Sequence, residues 1–160
     1  MGGRGSGRQP SYGAKDTTEG ARPLDIRKLK RSGLLTPGRI FRWQWTLNDQ
    51  PVATIQIRVE LERVVLLYRH RSHREAEWQA VEQPINFDHT PCTLGGTRCW
   101  WLCPCCQRRV AILYGSGKLY ACRHCYQLGY ACQTEGRSDR SARRADTIRR
   151  KLGWDAGILN

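Results

Sequence analysis

No apolar run in this 160-residue chain approaches the length of a membrane span, and the N-terminus lacks the apolar core of a secretory signal. A cytoplasmic protein with no membrane partner is therefore expected. Acidic residues are missing altogether from 99 to 133. Nowhere does the chain show a His-Asn-His arrangement or a carboxylate cluster that would hold magnesium, so a non-enzymatic role is expected. Residues 1–8, MGGRGSGR, have little to bury, which makes 1–23 a disordered Gly/Arg-rich arm.

What is abundant is positive charge. The net charge is +13, and it is unevenly spread. Residues 40–98 carry seven basic and seven acidic side chains, so the excess falls in the N-terminal stretch, in 99–133 and in the segment after it. A polyanion would meet those three regions first, and nucleic acid is the expected partner.

The chain also has eight cysteines, which in a cytosolic protein favour metal over disulfides. Four of them fall as Cys103-x2-Cys106, fifteen residues, then Cys122-x2-Cys125. That is the spacing of a tetrahedral zinc site, in which each pair folds back so that both sulfurs reach one ion. Arg108, Arg109 and Arg123 lower the electrostatic cost of gathering thiolates there. A closed four-sulfur site has no position for water to be activated, so one structural Zn2+ is expected. Disulfides or plain burial are the alternative. Cys105, between the first two ligands, is a rival for either place, and Cys92, Cys99 and Cys132 lack the paired spacing a second site needs.

Between the pairs, 108–114 and 118–122 flank Gly115-Ser116-Gly117 and read as a β-hairpin. With the two Cys turns this makes a zinc ribbon over 99–133. Upstream, 24–32 reads as a short basic helix ended by Gly33. Strict alternation over 41–47 and 53–59, with further strands at 64–68 and from Trp78 to Phe87 broken at Pro84, gives an antiparallel meander over 24–98. Trp43 and Trp45 are expected in its core, with base stacking as the alternative. Residues 69–74, with His70 and His73, read as an exposed loop rather than a metal or acid–base pair. Trp100 and Trp101 enter the first Cys turn directly, so sheet and ribbon should share a core with one tryptophan between them.

Residues 134–160 form the last unit. A helix is expected from Ser138, its cap, to Leu152, with Gly153 past its end. At 100° per residue Ala142, Ala145, Ile148 and Leu152 share one face, and Arg140, Arg143, Arg144, Arg150 and Lys151 gather on the other. The expected fold is α+β and mainly β: a small antiparallel sheet, a four-cysteine zinc ribbon and a C-terminal basic helix.

Taken together, the MGGRGSGR start, Gly95-Gly96-Thr97-Arg98-Cys99-Trp100, the CPxC turn with Arg108-Arg109, Cys122-Arg123-His124-Cys125 with Leu128 and Tyr130, and Gln133 resemble a family of uncharacterised bacterial zinc-ribbon proteins often met in prophages and mobile elements. The resemblance spans nearly the whole chain. It implies a bacterial cytosolic protein with a zinc ribbon and brings no activity with it. Related chains carry Gly where this one has Gln107, implying a looser turn here, and continue past the helix, implying a C-terminus cut short at Asn160.

Three functions follow in order of preference. The first is a zinc-ribbon nucleic-acid-binding protein, expected to favour DNA, with Arg108, Arg109, Lys118 and Arg123 placed by the ribbon and Arg140, Arg143, Arg144, Arg150 and Lys151 by the helix. The second is a protein-interaction adaptor of mobile-element origin. The third is a nuclease with an accessory ribbon. No small-molecule substrate is inferred.

Overall fold

The computed structural model describes residues 16–47, 49–73, 76–134 and 136–154. The expected arm at 1–15, Asn48 of the first turn, Arg74 and the tail beyond Trp154 lie outside the described residues.

The fold is mainly β. After a 3-10 turn at Thr18–Gly20 come β1 (Arg22–Asp25), α1 (Ile26–Arg31), β2 (Ile40–Leu47), β3 (Gln50–Val59), β4 (Arg63–His70), β5 (Gln79–Pro91), β6 (Thr97–Leu102), β7 (Arg109–Val110), β8 (Ile112–Gly115), α2 (Ala131–Thr134) and α3 (Arg137–Lys151). Strands β2 to β7 make one antiparallel sheet in chain order, and β1 pairs with β8 in a second, two-stranded sheet. None of the described helices is long and apolar enough to cross a membrane.

The alternation read in the sequence sets the sheet's two faces. Ile55, Ile57 and Val59 on β3, Val64 and Leu66 on β4, and Ile85 on β5 point into one core, while Gln56 between them is exposed. Phe41, Trp43 and Trp45 of β2 are half-buried against that core, with the Trp45 indole N–H donating to the Pro23 carbonyl at 2.9 Å. The break expected at Pro84 is absent. β6 pairs with β5 only from Phe87 onward, so at Pro84 the strand has β4 on one side and an open edge on the other.

The N-terminal segment departs most from expectation. Instead of a helix over 24–32 there is a strand to Asp25 and then a helix. Asp25 accepts the Arg27 N–H at 2.9 Å and so caps α1. Ordered structure also reaches back into the stretch read as a disordered arm. Arg22 and Pro23 lie in β1, and Asp16 accepts the Gly129 N–H at 2.8 Å while Thr18 donates to the Gly129 carbonyl at 3.0 Å.

Sheet and cysteine segment share one core, which joins Leu24, Ile26 and Leu29 to Leu113, Cys103 and Cys122. Trp101 is fully buried within it and donates its indole N–H to the Leu24 carbonyl at 3.0 Å. β6 crosses the 98/99 boundary drawn between sheet domain and ribbon, so the strand that completes the sheet also delivers the first Cys turn.

α3 begins two residues earlier than expected, cap for cap. Ser138 is not its cap: Gly136 stands there, and the Asp139 carboxylate accepts the Gly136 N–H at 3.1 Å. The expected apolar stripe is only half covered. Ala142 and Ala145 are half-buried, but Ile148 and Leu152 are 58% and 56% exposed, and the buried side chain is Asp146, in contact with Arg149 at 3.3 Å.

Candidate metal centre

Each Cys-x2-Cys segment is a tight turn closed by its own backbone. In the first, Gln107 donates to the Cys103 carbonyl at 2.8 Å and Cys103 donates to Arg108 at 3.0 Å. In the second, Tyr126 donates to Cys122 at 3.2 Å and Leu128 to Arg123 at 3.0 Å. Gln107 and Gln127 adopt φ of 56° and 52°, the left-handed region that Gly occupies at least cost.

The hairpin expected between the turns is not built as read. Its first run divides: Arg109 and Val110 pair with β6, and Ile112–Gly115 pairs with β1. The second run keeps one bridge to the first, with Tyr114 donating to Ala121 at 2.8 Å and Ala121 to Tyr114 at 3.2 Å. That second run is held from its other edge. The Tyr120 backbone is occupied by the Gln83 side chain, whose Oε1 accepts its N–H at 2.7 Å and whose Nε2 donates to its carbonyl at 2.9 Å. The Tyr68 hydroxyl also donates to the Lys118 carbonyl at 2.7 Å.

These supports bring the four expected sulfurs together. The Sγ atoms of Cys103, Cys106, Cys122 and Cys125 all lie within 4.8 Å of one another, and three pairs stand at 3.8, 3.7 and 3.5 Å. Four sulfurs about 2.3 Å from one tetrahedral ion sit about 3.8 Å apart, so the geometry fits a metal. It is the only such group among the described residues. Cys105 is exposed and outside it, and so are Cys92, Cys99 and Cys132 outside it, so neither a substitute ligand nor a second cysteine site is formed there.

Cys103 and Cys122 are buried, Cys125 exposed. Burial opposes ionisation of Cys103, yet the backbone N–H groups of Cys106, Cys122 and Cys105 outweigh it and bring its thiol down to about 7. Burial, then the neighbouring sulfurs, push the Cys125 thiol up. Four such groups cannot all ionise side by side without a cation between them.

Three of the cations expected to flank the site make contacts beside the Cys turns and the loop between them. Arg109 forms an ion pair with Asp88 at 2.6 Å, Lys118 donates to Gln79 at 3.0 Å, and Arg123 donates to the Leu128 carbonyl at 3.1 Å with its guanidinium 4.7 Å from the Tyr130 ring centroid. Arg108 is exposed beside the first turn, and Arg140, Arg143, Arg144, Arg150 and Lys151 are exposed along α3. His70 ends β4 and is half-buried, not in an exposed loop. The tryptophan expected between sheet and ribbon is Trp101, whereas Gln83, which holds the second Cys turn against the sheet, went unread. The one signal for Gln83 is its inward parity with Val81 and Ile85.

No family model matches the chain, and neither does any curated protein or solved structure.

Proposed function

We propose that the protein is a non-enzymatic nucleic-acid-binding protein in which Cys103, Cys106, Cys122 and Cys125 hold one Zn2+ as a zinc ribbon. The observation that carries this reading is the four-sulfur cluster at the separation a tetrahedral ion requires, set in a segment with four cations and no carboxylate. Four thiolates favour zinc over the hard cations, and a closed tetrahedron is structural. Bound zinc would supply the crosslink between the two turns that so short a segment cannot replace by burial.

With the turns fixed, Arg108 and Arg123 have set positions within the Cys turns, Lys118 has one in the loop between them, and α3 adds a row of arginines. Arg109 joins them at little expense, because an exposed ion pair such as that with Asp88 contributes weakly and a phosphate competes with it. Contacts of this kind position a protein on a phosphate backbone without reading sequence.

The test is a mobility-shift series with zinc-loaded protein on DNA and RNA across a range of salt. Log affinity should fall by about 0.9 per log unit of salt for each phosphate neutralised on duplex DNA, and Arg140→Gln with Arg144→Gln should lower that slope by about two. Affinity indifferent to salt would sink the proposal.

A further inference from the structure

A groove of about 690 Å³ lies between β3, the end of β4 and the turn at 115–117. Its lining includes Arg22, Arg69, His70 and Trp78, over a floor that includes Tyr68 and Tyr120. None of its described lining residues is acidic. That asymmetry is local, because residues 40–98 as a whole balance seven basic side chains against seven acidic ones.

The aromatic groups of this groove divide by exposure. Tyr120 is buried, stacked on Trp45 with ring centroids 6.1 Å apart and edge-on to Tyr68 at 5.6 Å. It lies so close over Gly115 that a Cβ there would stand 2.7 Å from its ring, so the floor is closely packed. Trp78 is 49% exposed, and the guanidinium groups of Arg71 and Arg69 sit 4.6 and 5.8 Å from its centroid. A half-open indole beside guanidinium planes is a flat, cationic platform.

We propose that this groove is a single-stranded nucleic-acid subsite, in which an unpaired base stacks against Trp78 and the adjoining phosphates meet Arg22 and Arg69. The inference rests on the nucleic-acid reading above and adds to it a second surface, separate from the metal ligands and α3. Cations alone would suit any polyanion. The indole narrows the choice, since an unpaired base has a π-face to stack, whereas a base inside a duplex presents only its edges. The volume falls within the range of small-ligand pockets, enough for about one or two nucleotides.

The test is fluorescence anisotropy of the zinc-loaded full-length protein on a labelled single strand of about twelve thymidines and on a duplex of equal length, read for Trp78→Leu, for Arg22→Gln with Arg69→Gln, and for Arg140→Gln with Arg144→Gln. Metal content equal to wild type certifies each variant as folded. Both groove variants should weaken single-strand binding by about tenfold and leave duplex binding within about twofold, while the α3 variant does the reverse. Photocrosslinking of a 5-iodouracil strand should map to Trp78. If both groove variants hold the single strand as wild type does while the protein still binds nucleic acid, the groove inference falls and the general function stands. If the wild type binds neither probe, both fall. Displacement of the strand by polyglutamate as readily as by oligothymidine would also overturn it, by showing a site that takes acidic chains without regard to bases.

Discussion

Gln83 treats Tyr120 as a neighbouring strand would. Its amide exchanges both hydrogen bonds with the Tyr120 backbone, at 2.7 and 2.9 Å, and it is 4% exposed on β5. Two residues after Tyr120 comes Cys122, so this single side chain ties the sheet to the second Cys turn.

Replacing Gln83 with Leu keeps roughly the volume and removes both partners. The Tyr120 N–H and carbonyl are then buried without compensation, which should cost about 2–4 kcal/mol in urea unfolding. An exposed Gln would cost almost nothing, so a loss below about 0.5 kcal/mol would show that water already serves the Tyr120 backbone.

The ligand set makes a sharper prediction, because Cys105 and Cys106 are adjacent and only one belongs to the cluster. Purified wild type should carry one zinc per chain. Cys106→Ser should lose stoichiometric metal, and Cys105→Ser should keep it, as read by metal analysis and chelator competition. Loss of the ion from the Cys105 variant with retention in the Cys106 variant would mean that the first turn binds in another register.

Gln107 carries a backbone cost at the same turn. Its φ of 56° is left-handed, and the side chain recovers only a long contact to the Pro104 carbonyl at 3.4 Å. Gln107→Gly should therefore stabilise the protein by about 0.5–1 kcal/mol, the relief of left-handed strain slightly exceeding the entropy that Gly adds to the unfolded chain. Thermal melts of the zinc-loaded pair would register this as a rise in Tm. A fall would mean that the Gln107 side chain contributes more than its geometry shows.

How much of this was legible depends on how local the cause is. The Cys spacing and the alternation in β2 and β3 are short-range patterns with one physical solution, and they appear where read. The pairing of β1 with β8 is different: Leu24 meets Leu113, and nothing in a four-residue strand containing Pro23 announces a partner so distant in sequence. The hairpin was misread for a related reason, since its first run divides between β6 and the distant β1, partners that no periodicity records. On α3 the helical period is present, yet periodicity says which residues share a face and not whether anything covers it, as the exposure of Ile148 and Leu152 shows.

Asp25 gives the chain a pH dependence with a definite sign. Burial works against its charge, but the Arg27 side chain at 2.8 and 2.9 Å, the Arg27 backbone N–H and the Arg27 and Lys28 charges prevail, so its carboxyl is held below the ordinary value. A carboxyl whose folded pKa is depressed stabilises the fold above its unfolded pKa of about 3.9, and that contribution is lost as pH falls through the folded value. Asp25→Asn keeps the shape and an acceptor for the α1 cap while removing the charge. With Arg27 54% exposed, solvent screening limits the gap between wild type and variant to about 0.5–1 kcal/mol at neutral pH. The gap should stay level down to about pH 5 and close below it. Thiol protonation also weakens metal binding in acid, but it is common to both proteins and cancels in their difference. Urea unfolding of the pair at stepped pH tests this, and a gap that widens as acid is added would exclude Asp25 as the charged cap of α1.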